Sequence, residues 1–318
     1  MLKYEGDYLE MTGQFSKAES SITKSLELME ENGYFPSLEY AYALNGLGTV
    51  YSRSGKYNQS TKVYAAAMDI LERLGGEDEE GLTGTQFNLA KVYANMGLFD
   101  DALELYNEIK KSDGDYYGEE SFPYAQTLAE LASVYLAKKE LFKAEETLMQ
   151  SFEIISALGE ENSIEGLKLN GQLADVYIDL EMFDEAEQYA MVAKQGLERL
   201  GLENNQNYAV IIGNIAELYM KNGDKQKAAE YGELSVKTYA NLLGDRHPLY
   251  ALATRRMAVI NWEAQSLDDA LAYYDETFEN YFAQINAYFP ILSEEEKGKF
   301  YYNKLKPTFE QFNSFVIE

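Results

Sequence analysis

Cysteine is missing from this 318-residue chain. Disulfides, thiolate metal sites and cysteine nucleophiles are therefore excluded within it, and a reducing compartment fits. Histidine occurs once, at position 247, so imidazole clusters for metal binding or acid–base relays are also excluded. Proline is scarce, with 5 residues, so long helices can run uninterrupted. Positive charge is in deficit: 27 Lys and Arg face 54 Asp and Glu, a net charge of −27. That field repels phosphate backbones and anionic lipids, which argues against nucleic-acid and membrane-surface partners. No stretch approaches the roughly 18 uninterrupted apolar residues of a membrane span. Residues 1–10 lack the charged-then-apolar order of a signal peptide. A cytoplasmic protein is expected.

What is present is a repeat. A small residue recurs at Gly6, Gly48, Ala90, Ala132, Ala174, Ala216 and Ala258, a spacing of 42 without a slip. Three residues later stand Leu9, Tyr51, Tyr93, Tyr135, Tyr177, Tyr219 and Asn261. Nine further on come Ala18, Ser60, Ala102, Ala144, Ala186, Ala228 and Ala270. Apolar neighbours such as Leu47, Leu89, Leu131 and Leu173, with Val50, Val92, Val134 and Val176, complete an i, i+3, i+4 stripe on a first helix. Gly13, Gly55, Gly97 and Gly223 break the chain in four copies. An aromatic or Leu usually restarts it: Phe15, Tyr57, Phe99, Leu141, Phe183 and Leu267, with Lys225 the exception. Each unit is thus a helical hairpin that buries its apolar face only against its neighbours, the mark of an all-α solenoid.

The small residue, tyrosine, turn glycine, aromatic and alanine of each copy resemble the tetratricopeptide repeat. The 42-residue unit is similar to the long-helix subtype of kinesin light chains and bacterial regulatory solenoids, as is the Gly244-Asp245-Arg246-His247-Pro248 turn. The resemblance implies a right-handed superhelical α-solenoid of about seven hairpins over residues 1–290, with a C-terminal helical cap over 291–318. Lys139, Glu181 and Gln265 depart from the turn glycine, and Asn261 departs from the tyrosine. His247 before Pro248 is expected to cap a helix start. Asp113-Gly114-Asp115 has Tyr124 where a calcium loop needs its bidentate Glu. Gly46-Leu47-Gly48 lies within a helical pattern and is no phosphate loop. No metal, cofactor or catalytic site is expected.

The ends leave the pattern. Only five residues precede Gly6, so the first copy is expected to be shortened or cut. Ser293 with Glu296 forms a capping box, and Pro307 opens a further helix. Phe300, Tyr301, Phe309, Phe312 and Phe315 are expected to cover the end of the stack. The segments Phe289–Lys297, Lys306–Phe309 and Phe312–Phe315 resemble the connector that joins bacterial tetratricopeptide regions to a caspase-like CHAT domain. That likeness implies the regulatory part of a protease whose catalytic residues would lie beyond Glu318.

In the tetratricopeptide family the first helix of each hairpin lines a concave groove. Positions flanking the small residue place Asn45, Phe87, Gly171, Gly213 and Arg255 on one level and Asn88, Glu130, Gln172, Asn214 and Arg256 on the next, with Lys3 and Tyr4 at the corresponding places of the first copy. Asp7, Thr49, Lys91, Ser133, Asp175 and Glu217 form a third level, followed by Arg53, Asn95, Asp179 and Lys221. Asn and Gln side chains can bond both groups of an extended peptide backbone. The candidate ligand contacts are Asn45, Asn88, Lys91, Gln172, Asn214 and Arg256. The expected function is a non-enzymatic protein- or peptide-binding scaffold, either regulating a CHAT-type protease or acting as a stand-alone peptide receptor or cargo adaptor. Self-association through the solenoid ends is a further expected mode.

Overall fold

Two turn chemistries, each recurring at the repeat spacing, set the architecture. Within each hairpin the chain reverses through a left-handed residue: Gly55, Gly97 and Gly223 at φ 73°, 78° and 86°, and Lys139, Glu181 and Gln265 at 61°, 59° and 64°. The next amide reaches back to the repeat tyrosine's carbonyl: Lys56 to Tyr51, Glu140 to Tyr135, Met182 to Tyr177 and Asp224 to Tyr219, at 2.8–2.9 Å. Ser266 does the same to Asn261. These bonds satisfy carbonyls that the helix end would otherwise leave without partners. Between hairpins, a side chain caps the next first helix. Ser37, Ser121, Ser163, Asn205 and His247 accept from Tyr40, Tyr124, Gly166, Asn207 and Leu249 amides, respectively. The expected capping role of His247, through Nδ1, is therefore present at 3.1 Å. These cap positions also keep the repeat spacing, a signal the sequence carries outside the apolar stripe.

The computed structural model describes residues 15–74, 79–290 and 292–317, the side chains of Phe315 and Ile317 excepted. Helix α1 (Phe15–Glu31) is the second helix of the first copy. The hairpins that follow are α2 (Leu38–Arg53) with α3 (Tyr57–Arg73), α4 (Glu79–Met96) with α5 (Phe99–Tyr116), and α6 (Phe122–Ala137) with α7 (Leu141–Ala157). Then come α8 (Ile164–Asp179) with α9 (Phe183–Arg199), α10 (Gln206–Lys221) with α11 (Lys225–Leu243), and α12 (Pro248–Glu263) with α13 (Leu267–Tyr288). The chain ends in α14 (Glu294–Phe300), a π-helical turn (Tyr301–Leu305) and α15 (Lys306–Ile317). No strand occurs among the described residues. Lys3, Tyr4, Gly6, Asp7, Leu9 and Gly13 of the first copy lie outside them, as does the side chain of Phe315.

The small positions explain why the hairpins close. Ala90, Ala132, Ala174, Ala216 and Ala258 have no exposed surface, nor do Ala102, Ala144, Ala186, Ala228 and Ala270 opposite them. Larger side chains there would push the two helices apart. In the copy where Ser60 replaces the second alanine, its hydroxyl donates to the Gly48 carbonyl at 2.7 Å, so the buried polar group is satisfied.

Contacts divide the chain into two units: Met1–Ser112 with Ala287–Asn303, and Asp113–Asn286 with Lys304–Glu318. In the first, Ile22, Leu26, Leu44, Leu47, Val50, Ile70 and Leu71 form the core. Tyr288 donates to the Gly55 carbonyl, Asn303 to the Gly97 carbonyl, and Lys299 pairs with Asp101 at 3.1 Å. Phe300 is buried there against Tyr288 and Phe289. The second unit's core runs through Leu148, Leu169, Leu173, Val176, Leu197, Ile211, Ile212 and Ile215. Phe309 stacks on Phe278, and Phe312 meets Phe278 and Tyr274 edge-on. The expected aromatic cover of the last hairpin thus consists of Phe309 and Phe312. Phe300 is packed elsewhere and Tyr301 is 42% exposed.

Candidate functional site

The first helices carry a polar ladder because their equivalent positions recur every 42 residues and neighbouring first helices within each unit touch. Each rung joins a side chain to one about a repeat away. In the first unit the Asn88 Nδ2 amide donates to Asn45 Oδ1 at 3.1 Å. Lys91 sits one turn on, its ammonium 5.6 Å from the centre of the Phe87 ring.

In the second unit the rungs are stronger and more buried. Lys168 donates to Glu130 at 2.6 Å, joining α8 to α6. Burial disfavours this ammonium, but Glu130 and Glu165 outweigh burial and hold its pKa above the ordinary lysine value. Gln172 Nε2 donates to the Ser133 hydroxyl at 2.5 Å and the Ala129 carbonyl at 3.2 Å. Asn214 is 2% exposed; its Nδ2 donates to the Gly171 carbonyl and its Oδ1 accepts from Arg256 Nη2 at 3.0 Å. Arg256 also donates from Nε to Glu217 at 3.1 Å. The candidate contacts Asn214 and Arg256 are thus one hydrogen-bonded pair.

Two glycines make room for this. A methyl group on Gly213 would stand 2.7 Å from Arg256 Nη1, and one on Gly171 would stand 2.8 Å from Ile211. Both lie well inside their helices, and the space their missing side chains leave is taken by the Arg256 and Ile211 side chains.

Below the amide rungs lies a carboxylate group. Asp179 accepts from Lys139 at 2.6 Å and from Lys221 at 2.9 Å. Burial would raise its pKa, but the two lysines hold it below the ordinary aspartate value. Glu217 pairs with Arg256 and, at 3.5 Å, with Lys221. Burial opposes its charge as well, and those cations win. Asp175, half-buried one turn before Asp179, has no such pair among the described residues. Burial pushes its carboxyl up to about 6, with Arg256 opposing and Glu217 and Asp179 adding to the rise. From the sequence, Asp175, Asp179 and Glu217 could be placed on the ladder. Which of them would be paired depends on side-chain reach across repeats, which spacing alone does not reveal.

No group of three or more His, Asp or Glu side chains that could hold a metal ion occurs among the described residues. Asp113, from the excluded calcium-like segment, instead accepts from the Thr127 hydroxyl at 2.7 Å. Burial raises its pKa, and the Thr127 bond partly offsets that rise. No helix among the described residues is long and apolar enough to cross a membrane.

No curated protein matches this sequence. Similar solved structures include the Rap conjugation gene regulator of the plasmid pLS20 in complex with the Phr* peptide. It is 13% identical, with a TM-score of 0.73 over 92% of this chain and 76% of that one. A Rap protein complexed with competence and sporulation factor is 16% identical, with a TM-score of 0.70 over 90% and 75%. The apo quorum sensor NprR from B. thuringiensis is 14% identical, with a TM-score of 0.61 over 88% and 75%. At these identities the likeness is one of fold. The tetratricopeptide repeat model matches residues 39–111, 123–199 and 207–281, more than half of the chain. With the hairpins, small-residue contacts and turns described above, this chain belongs to the tetratricopeptide repeat family.

Proposed function

We propose that this chain is a non-enzymatic scaffold that binds a peptide or an extended protein segment along its first helices. Of the candidate residues, Asn45, Asn88 and Lys91 in the first unit and Arg256 in the second are the proposed contacts, with Gln172 and Asn214 behind them. The Asn45–Asn88 pair carries the reading. With one bond spent between them, Asn45 keeps an amide donor and Asn88 an acceptor, both partly exposed. That is the complement of the C=O and N–H of one extended peptide unit. Asn214 and Gln172 serve differently, since the structure commits Asn214 at both ends and Gln172 at its nitrogen. Their contribution is to hold Arg256 and the ladder in place. One of the similar structures holds the Phr* peptide and another holds competence and sporulation factor, which supports the same reading.

Two finer forms follow, both in a bacterial cytoplasmic setting. The Rap likeness favours a stand-alone peptide receptor or adaptor. The tail segments Phe289–Lys297, Lys306–Phe309 and Phe312–Phe315 favour the regulatory region of a CHAT-type protease. The coding sequence downstream of Glu318 separates them: a His- and Cys-bearing domain supports the second form, a stop codon the first. For the shared reading, the wild-type chain and an Asn45→Ala/Asn88→Ala variant are used as bait in native lysate. Each lost amide should weaken capture by about 1 kcal/mol. Equal capture by both baits would remove these residues from the site.

A further inference from the structure

The cations around the ladder of the second unit are already committed. Lys139 and Lys221 donate to Asp179, and Lys221 also reaches Glu217. Arg256 spends Nε on Glu217 and Nη2 on Asn214, while Nη1 lies against Gly213. Asp175 is left with no hydrogen bond or ion pair among the described residues, although it is half-buried in the midst of this network. One turn earlier on the same face of α8, the Gln172 carbonyl oxygen Oε1 is buried and accepts nothing. Its orientation is fixed, because Nε2 must face the Ala129 carbonyl. Buried acceptors without donors are rare in folded proteins and call for an explanation. Here the buried Gln172 oxygen stands one turn before the half-buried Asp175 carboxylate on the same helix.

We propose that Asp175 is the seat for a cationic side chain, an arginine guanidinium or lysine ammonium, of the bound peptide, so that the scaffold selects basic sequences. The proposal rests on the peptide-binding reading above and adds the charge class of the ligand. A guanidinium or ammonium supplies donors without bringing an acceptor of its own, which is what an acceptor-only spot requires. The chain's net charge of −27 draws such a ligand in from a distance. Binding is also linked to protons. The charged groups facing Asp175 are Asp179 on its own helix, Glu217 on α10, Arg256 on α12 and Lys139 after α6; together with burial they leave its carboxyl titrating at about 6. Protonation removes the seat's charge, so basic ligands are held at neutral pH and released in mild acid.

The test uses the full chain and arrays of acetylated, amidated hexapeptides with every residue type at every position. Wild-type chain should retain peptides enriched in Arg or Lys at one position. Asp175→Asn, which keeps the side chain's shape, should lose roughly tenfold or more in affinity for those peptides, while Asp175→Glu should restore part of the preference. Wild-type affinity for the basic peptides should fall between neutral pH and about 5, whereas the Asn variant's should stay flat over that range. Circular dichroism confirms that each variant is folded. Peptides retained without a basic preference, or equally by the Asn variant, would overturn the seat and leave the scaffold reading standing. No peptide retained by either protein would overturn both.

Discussion

Replacing Asp175 with Asn should make the folded chain more stable at neutral pH, although it removes a charged residue from an ionic network. The free carboxylate ionises near 3.8, whereas in the fold it ionises at about 6. At ~1.36 kcal/mol per pKa unit, the ionised form costs the folded state roughly 3 kcal/mol as an upper figure. Solvent reaching the half-buried carboxylate screens part of this, so a gain of about 1–3 kcal/mol is expected from the amide. The sign follows from the raised pKa. Protonated Asp175 contributes stability that is fully present below 3.8 and is lost as pH rises through about 6. The difference between variant and wild type should therefore be largest at neutral pH and shrink towards zero as pH falls to about 4. Differential scanning calorimetry of both proteins across that range measures it. Asp179→Asn serves as the opposite-signed control: its lysines hold Asp179 ionised in the fold, so removing the charge should lower stability at neutral pH. A variant no more stable than wild type at neutral pH, or a gap that persists in acid, would refute this account of Asp175.

Two further outcomes follow from the packing and the turns. Ala144→Leu and Ala186→Leu each place three more carbons at a fully buried crossing and should destabilise by about 1–3 kcal/mol; an unchanged melting temperature would contradict the hairpin geometry. Glu181→Gly and Gln265→Gly relieve side chains held at φ 59° and 64° and should each stabilise by about 0.5–1 kcal/mol, the αL relief exceeding the flexibility that glycine adds to the unfolded chain. Equal or lower melting temperatures for both would mean these turns are not strained.

Much of the solenoid is legible from residue spacing because a hairpin is a local object. The second helices begin at Phe15, Tyr57, Phe99, Leu141, Phe183, Lys225 and Leu267, the positions where the sequence restarts. Even Lys225, the one polar member, obeys the period, since the turn before it and the alanine after it fix the helix without an aromatic. Lys139, Glu181 and Gln265 show the same in the turns: the surrounding hairpin imposes the left-handed conformation on residues that would not choose it. The ladder was legible only as a set of positions. Asn214 reads as an exposed groove amide by spacing, yet it is buried because Arg256 reaches over Gly213 to meet it. Such partnerships depend on distances between residues 42 apart, which no local pattern records. The tail is harder still. Phe300 and Phe309 belong to one aromatic series in sequence but pack in different units, because the π-helical turn and the chain direction separate them.

The strict period has an evolutionary consequence. Excising residues 164–205 would bring α6 and α7 beside α10 with every cap, turn and alanine crossing still in phase, so the shorter chain should find its fold. The rungs would not survive the same cut. The place of Lys168 opposite Glu130 would pass to Val210, leaving a buried carboxylate without its ammonium, while Ser133 would meet Asn214 in place of Gln172. Whole-repeat loss or duplication can thus rewrite the ladder proposed to meet the ligand while sparing how the chain folds: the scaffold is modular, and its polar rungs change at each splice.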